Sequence, residues 1–180
     1  AVNERIHLLQ DKDGDGRADV AKVFAEGFNE EINGVMAGVL PYRGDVFATI
    51  YPDVWKLNDT DGDGYADKRE VFFHGFGVHA ALDGHDLHGL TVGPDGKLYF
   101  SVGDNGFSVR TREGRLLHHP NTGGVLRCNW DGSDLEVFAT GLRNVQELAF
   151  DDFGNLFSVD NDGDIREERE RFVYLSLIHI

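Results

Sequence analysis

The chain has 180 residues, with 17 Lys and Arg against 32 Asp and Glu, for a formal net charge of −15. That balance excludes a nucleic-acid grip, which needs a basic face, and the longest apolar runs fall far short of the ~20 residues of a membrane-spanning helix. Hydrophobic residues at 41% and charged residues at 27% are ordinary for a folded chain with one sizeable core. Glycine is the outlier: 23 residues against only 4 prolines, which predicts many tight turns. The single cysteine, Cys128, allows neither an internal disulfide nor a four-cysteine zinc site.

In chain order, Arg5–Gln10 is strand-like, followed by an Asp/Gly turn at Asp11–Gly16 and a segment ending Val23-Phe24…Gly27-Phe28. The same order returns at Val54–Asn58, Asp59–Gly64 and Val71-Phe72…Gly75-Phe76, and again at Val125–Trp130, Asp131-Gly132 and Val137-Phe138…Gly141-Leu142. A second unit, made of an apolar pair, an Asp/Gly turn and an alternating strand, runs from Leu90 to Val102. It recurs from Leu148 to Val159, with a degenerate copy from Val39 to Thr49. Each hairpin with the strand pair after it makes a four-stranded unit, and the Gly endings lie about 48 and about 66 residues apart.

Short alternating strands with Gly-Asp turns in units of that size are what a β-propeller blade requires. A sandwich would use similar strands but predicts no two-part repeat in fixed order. At ~45 residues per blade, the chain makes an all-β, partial β-propeller of three to four blades. Asp164–Val173 reads either as a short helix, with Glu167 and Arg171 at i,i+4, or as a charged loop leading into a strand. The last six residues, 175–180, read Leu-Ser-Leu-Ile-His-Ile. They look like the translated end of a sequencing adaptor, with a real terminal strand as the alternative. Setting them aside leaves one domain over residues 1–174 and an unfinished ring.

Two loops match the calcium pattern D-x-D-x-D-G. Asp11, Asp13 and Asp15 precede Gly16, with Asp19 at position 9. Asp59, Asp61 and Asp63 precede Gly64, with Asp67 at position 9 and Glu70 at position 12. Carboxylates at positions 1, 3 and 5 converge on one cation, and the glycine makes the sharp turn. The first loop has Lys22 at position 12, so it should bind more weakly or use Asp19 directly. Strand-like runs flank both loops, so calcium-clipped hairpins are expected instead of EF-hands. The bland alternative is a metal-free, solvated Asp-Gly turn.

Polar groups crowd two other places: Asp83-Gly84-His85-Asp86-Leu87-His88 with Gly103-Asp104-Asn105-Gly106, and Gly141-Leu142-Arg143-Asn144-Val145-Gln146 with Asp160-Asn161-Asp162-Gly163-Asp164. His85, Arg143 and Asn144 fall in loops entering the innermost strand of a blade, which face a propeller's central funnel. His7, His74, His79, His118 and His119 read as ordinary surface groups.

Here the chain resembles the soluble PQQ-dependent glucose/sorbosone dehydrogenases, which are six-bladed propellers. It is more closely similar to the PVC-type haem-binding, dehydrogenase-like proteins, in which such a propeller precedes a cytochrome c domain. The likeness rests on H-x-x-x-x-L-x-x-G-P-D-G-x-L-Y-x-x-x-G-D, filled from His85 to Asp104, and on G-x-R-N-x-Q, filled by Gly141, Arg143, Asn144 and Gln146. It implies a sugar or alcohol dehydrogenase with PQQ as cofactor. His85 is then the base, Asp104 its orienting partner, and Arg143 the stabiliser of charge on the quinone oxygen. Arg143, Asn144 and Gln146 would contact the cofactor, and a calcium ion would sit near Asn161 and Asp162. It also implies a haem-bearing cytochrome c domain as electron acceptor and an exported location. Two residues depart from the family pattern: Glu147 stands where a glycine is usual, and Ile32 stands before Asn33-Gly34 where the glucose dehydrogenases have Gln. A non-enzymatic, calcium-stabilised propeller binding a glycan or protein, and a metal-dependent lactonase with a carboxylate cage in its funnel, are the competing readings.

Overall fold

A computed structural model describes residues 4–28, 35–77, 84–161, 167 and 169–176. Fifteen strands form among them, in five antiparallel sheets. β1 (Arg5–Gln10) pairs with β2 (Val20–Glu26), and one four-stranded meander follows: β3 (Met36–Tyr42), β4 (Asp45–Ile50), β5 (Asp53–Asn58) and β6 (Lys68–His74). The next sheet is built from β7 (Leu87–Val92), β8 (Leu98–Val102), β11 (Gly123–Cys128) and β12 (Glu136–Leu142). Between β8 and β11 the chain inserts a hairpin, β9 (Phe107–Arg110) with β10 (Leu116–His119). The last sheet joins β13 (Ala149–Phe150), β14 (Leu156–Asp160) and β15 (Arg171–Leu175). These are an outer half-blade, two full blades and the inner three strands of another: the partial propeller expected from the repeats.

The sheets are phased half a unit from the repeat read in the sequence. Each joins a strand pair to the hairpin that follows it, because only Tyr51-Pro52 separates β4 from β5, and Ile50 pairs with Asp53 across that turn. The connection from His74 to Leu87 is long enough to cross to the next sheet. The inserted β9–β10 hairpin explains why one interval is longer; it docks on the preceding blade, where the Ser108 N–H donates to the Gly75 carbonyl at 2.8 Å. Arg171–Leu175 is a strand, which excludes a helix over that part of Asp164–Val173. Residues 162–166 and 168 lie outside the described residues. Leu175, grouped by sequence with the tail, ends β15 opposite Leu156 and is buried.

One turn recurs at four sheet ends. In Gly93–Lys97, Thr111–Arg115, Asn129–Ser133 and Asp151–Asn155, the first N–H donates to the fifth carbonyl and the fourth N–H to the first. The fourth residue is always a glycine at positive φ: Gly96, Gly114, Gly132 or Gly154. This is a tight hairpin turn closed by a left-handed residue, where any side chain but glycine's is strained.

Pleating then sorts the side chains. In β8, Leu98, Phe100 and Val102 enter the core shared with β3–β6, while Tyr99 enters the core shared with β13–β15. In β4, Phe47 joins the first of these cores, whereas Ala48 and Ile50 join a third core against β1–β2. A strand covered on both faces needs apolar residues at consecutive positions, and all five residues of β8 are buried. Phe100, fully buried, meets Phe76 edge-on at 5.4 Å between centroids. Burying one such ring contributes about 1.5–3 kcal/mol. This stacking of blades fixes which loops lie together.

Candidate active site

Antiparallel register sends two kinds of loop to opposite ends of the sheets. Leu87 pairs with Val102, Gly123 with Leu142, and Asp160 with Arg171, so residues 85–86, 103–105, 142–144 and 160–161 share one end. The β5–β6 loop with Asp59, Asp61 and Asp63 is at the other, since Asn58 pairs with Lys68. The first acidic loop lies beside it, as the Lys22 Nζ donates to the Asp63 carbonyl at 2.9 Å.

At the first end, His85 and Asp104 meet: Nδ1 to Oδ1 is 2.7 Å, with the side chains 14% and 38% exposed. A carboxylate on Nδ1 keeps the proton there and puts the lone pair on Nε2, the form a general base needs. Close backbone approach makes the contact: a Cβ on Gly103 would come within 2.5 Å of the His85 carbonyl. Next along the chain, buried Asp86 accepts from Asn105 Nδ2 at 3.0 Å. Burial and the charge of Asp86 push the Tyr51 phenol above its usual pKa. His88 donates from Nε2 to the Gly84 carbonyl at 2.7 Å, and burial holds its imidazole below the usual histidine range, so it stays neutral.

Arg143 and Asn144 are held by a residue that the sequence reading did not single out. The Asp160 carboxylate, 0% exposed, accepts the Arg143 N–H at 3.0 Å and the Asn144 N–H at 2.8 Å. It also accepts from the Arg171 guanidinium. A buried charge persists only where hydrogen bonds replace its water, and these three do so. The visible signal was modest: Asp160 ends an alternating strand as Asp104 follows one, and Arg171 was lost in a charged run.

Asp104 and Arg143 line one cleft of about 530 Å³, with Asn121, Thr122, Asn161, Arg169 and Arg171 among its walls. That volume lies in the usual range for small-molecule sites. The residues suit a polycarboxylate cofactor in part. Arg143 presents a cation to the cleft, and the buried Asn161 Oδ1 has no hydrogen-bond partner among the described residues, as an oxygen awaiting a donor or a cation would. Asn144 is buried beside His88 and does not line the cleft. Gln146 is exposed and contributes its carbonyl to Gly89 N–H at 2.9 Å. Asp162 and the Ile32-Asn33-Gly34 segment lie outside the described residues.

In the acidic loops, the side-chain oxygens of Asp11, Asp13 and Asp15 lie within 4.8 Å of one another, and so do those of Asp59, Asp61 and Asp63. The position-9 residues do not join them: Asp19 accepts from the Lys12 N–H at 2.7 Å and Asp67 from the Thr60 N–H at 2.7 Å. Glu70 pairs instead with Arg112 at 3.1 Å. Backbone donors from Gly16 and Gly14 hold Asp11 below the usual carboxylate range, and those from Gly64 and Gly62 do the same for Asp59. Cys128 is inert: burial pushes its thiol up to about 12.

Solved structures place this architecture. The PQQ-bound form of aldose sugar dehydrogenase from Streptomyces coelicolor aligns with 90% of this chain and 52% of its own at a TM-score of 0.64 and 21% identity. The holo form of the pyranose dehydrogenase PQQ domain from Coprinopsis cinerea aligns with 93% and 42%, at 0.56 and 16%. At these identities the likeness shows the propeller fold, and the chain spans about half the length of either structure. No curated protein matches it. The chain belongs to the family described as "Domain of unknown function (DUF7133)", which matches residues 1–174.

Proposed function

We propose that this chain is part of a quinoprotein-like dehydrogenase propeller that oxidises a sugar or other alcohol. The hydrogen bond between His85 and Asp104, in loops 19 residues apart and beside the Arg143 cleft, carries the reading. His85 Nε2 takes the hydroxyl proton, and Asp104 holds the ring and stabilises its charged form. Bound PQQ would supply the hydride acceptor. Arg143, its backbone fixed by Asp160, would stabilise negative charge developing on the quinone oxygen. Calcium in the two Asp triads would clip the hairpins, with Asp19, Asp67 and Glu70 in the surrounding hydrogen-bond network. A calcium site of a second type would use Asn161 and Asp162 at the site end. Electrons would pass to a haem-bearing cytochrome c domain, in an exported protein.

A lactonase needs its metal cage in the funnel, and among the described residues both acidic triads are at the opposite end. The test is dye reduction by the longer parent protein with calcium, PQQ and a panel of sugars. His85→Ala should lose about 10²- to 10⁴-fold in kcat. Failure to bind PQQ rejects the dehydrogenase and leaves the non-enzymatic propeller, and undiminished turnover in the variant rejects His85 as the base.

A further inference from the structure

The cleft carries an unusual charge for this chain. Its walls hold three guanidinium groups, from Arg143, Arg169 and Arg171, in a protein of net charge −15. Among the described lining residues the carboxylate is Asp104, engaged by His85, and Asp160 is engaged by two backbone N–H groups and Arg171. Arg171 meets Asp160 through Nη2 and remains 58% exposed in its side chain. A guanidinium offers five N–H donors in a planar fork that matches a carboxylate. Arg169 is exposed on the same wall.

We propose that Arg169 and Arg171 form a carboxylate subsite, so that the substrate is a hydroxy acid of the sugar-acid class and not a neutral sugar. This rests on the dehydrogenase reading for its orientation only. One cleft contains Asp104, which orients the base, and the two arginines of the β14–β15 side. His85 reaches this cleft through its hydrogen bond to Asp104, one of the lining residues, so a hydroxyl at the base and an acid group at the arginines would belong to one ligand. Asp160 serves both halves, since a single carboxylate fixes the Arg143–Asn144 turn and anchors Arg171. Shape alone discriminates weakly between a neutral and an acidic sugar, whereas a cation pair does so strongly.

The experiment is an NMR titration of the 180-residue chain with D-glucuronate and with D-glucose, in low salt at pH 7, followed by PQQ titration. Glucuronate should bind at least about ten-fold more tightly than glucose, and added salt should shrink the difference. Arg169→Gln should abolish most of the preference, and Arg171→Lys, which keeps a cation for Asp160, should retain part of it. Equal binding of the two sugars, or a preference that survives Arg169→Gln in a chain with an unchanged melting temperature, overturns the proposal. So does Arg169→Gln weakening PQQ alone, which would assign the arginines to the cofactor's carboxylates. A glucuronate preference without PQQ turnover in the parent would reject the dehydrogenase and leave the subsite standing. Turnover of neutral sugars without the preference would do the reverse.

Discussion

The two ends of the sheets spend their acidic residues differently. In the acidic loops each aspartate is satisfied by its own loop: Asp11 by Gly14 and Gly16, Asp59 by Gly62 and Gly64, Asp67 by Thr60. At the site end they reach across the chain. His85 meets Asp104 over 19 residues, Asp86 meets Asn105 over 19, and Asp160 takes N–H groups 16 and 17 residues away. Local satisfaction makes a hairpin tip that needs little from the rest of the fold. Long-range satisfaction makes a site that exists only when the blades are packed.

The sharpest way to break that contrast is Asp160→Ala. It removes a buried charge that holds two backbone donors and Arg171, and should cost about 3 kcal/mol in a denaturant melt. A loss under about 1 kcal/mol would mean that the Arg143–Asn144 turn stands on other contacts. Next is metal removal. If calcium fills the Asp triads near 100 times its dissociation constant, EDTA should lower Tm by about 5–10 °C. An unchanged Tm would remove calcium from the loops.

The ends should also separate by pH. The folded state holds His88 below its ordinary pKa of ~6.5, so the unfolded chain binds more protons there and stability falls as pH drops below about 6.5. Asp11 and Asp59 are held below 3.8, so their contribution is present above that value and disappears only in stronger acid. Melting curves between pH 7.5 and 5 should show a decline that His88→Gln flattens; an equal slope in both proteins would reject the assignment to His88. The smallest effect is expected of Glu70→Gln. Its exposed pair with Arg112 contributes at most about 1 kcal/mol, and calcium affinity should hold. A ten-fold loss of affinity would restore Glu70 as a ligand.

Much of this was visible in the order of residues. The turn chemistry of Asp95-Gly96, Asp131-Gly132 and Asp151–Gly154 marks hairpins that form at those positions, and His85–Asp104 is joined as the motif implied. The charged run before Tyr174 was not legible, because a strand whose exposed residues are Arg171, Phe172 and Tyr174 has no alternation to reveal it. The β9–β10 hairpin, outside the repeat, was equally silent.

Sequence by itself determined most of the strands, the glycine turns, the acidic triads and the His85–Asp104 pair, since each is set by residues close in the chain or by a motif of fixed spacing. Only tertiary structure decided that the sheets begin half a unit later than the repeat. It also put the triads at the far end from the cleft and joined Asp160 to Arg143, Asn144 and Arg171. Those outcomes depend on strand direction and on blades packing face to face, and a buried carboxylate finds its partners only after that packing has removed water.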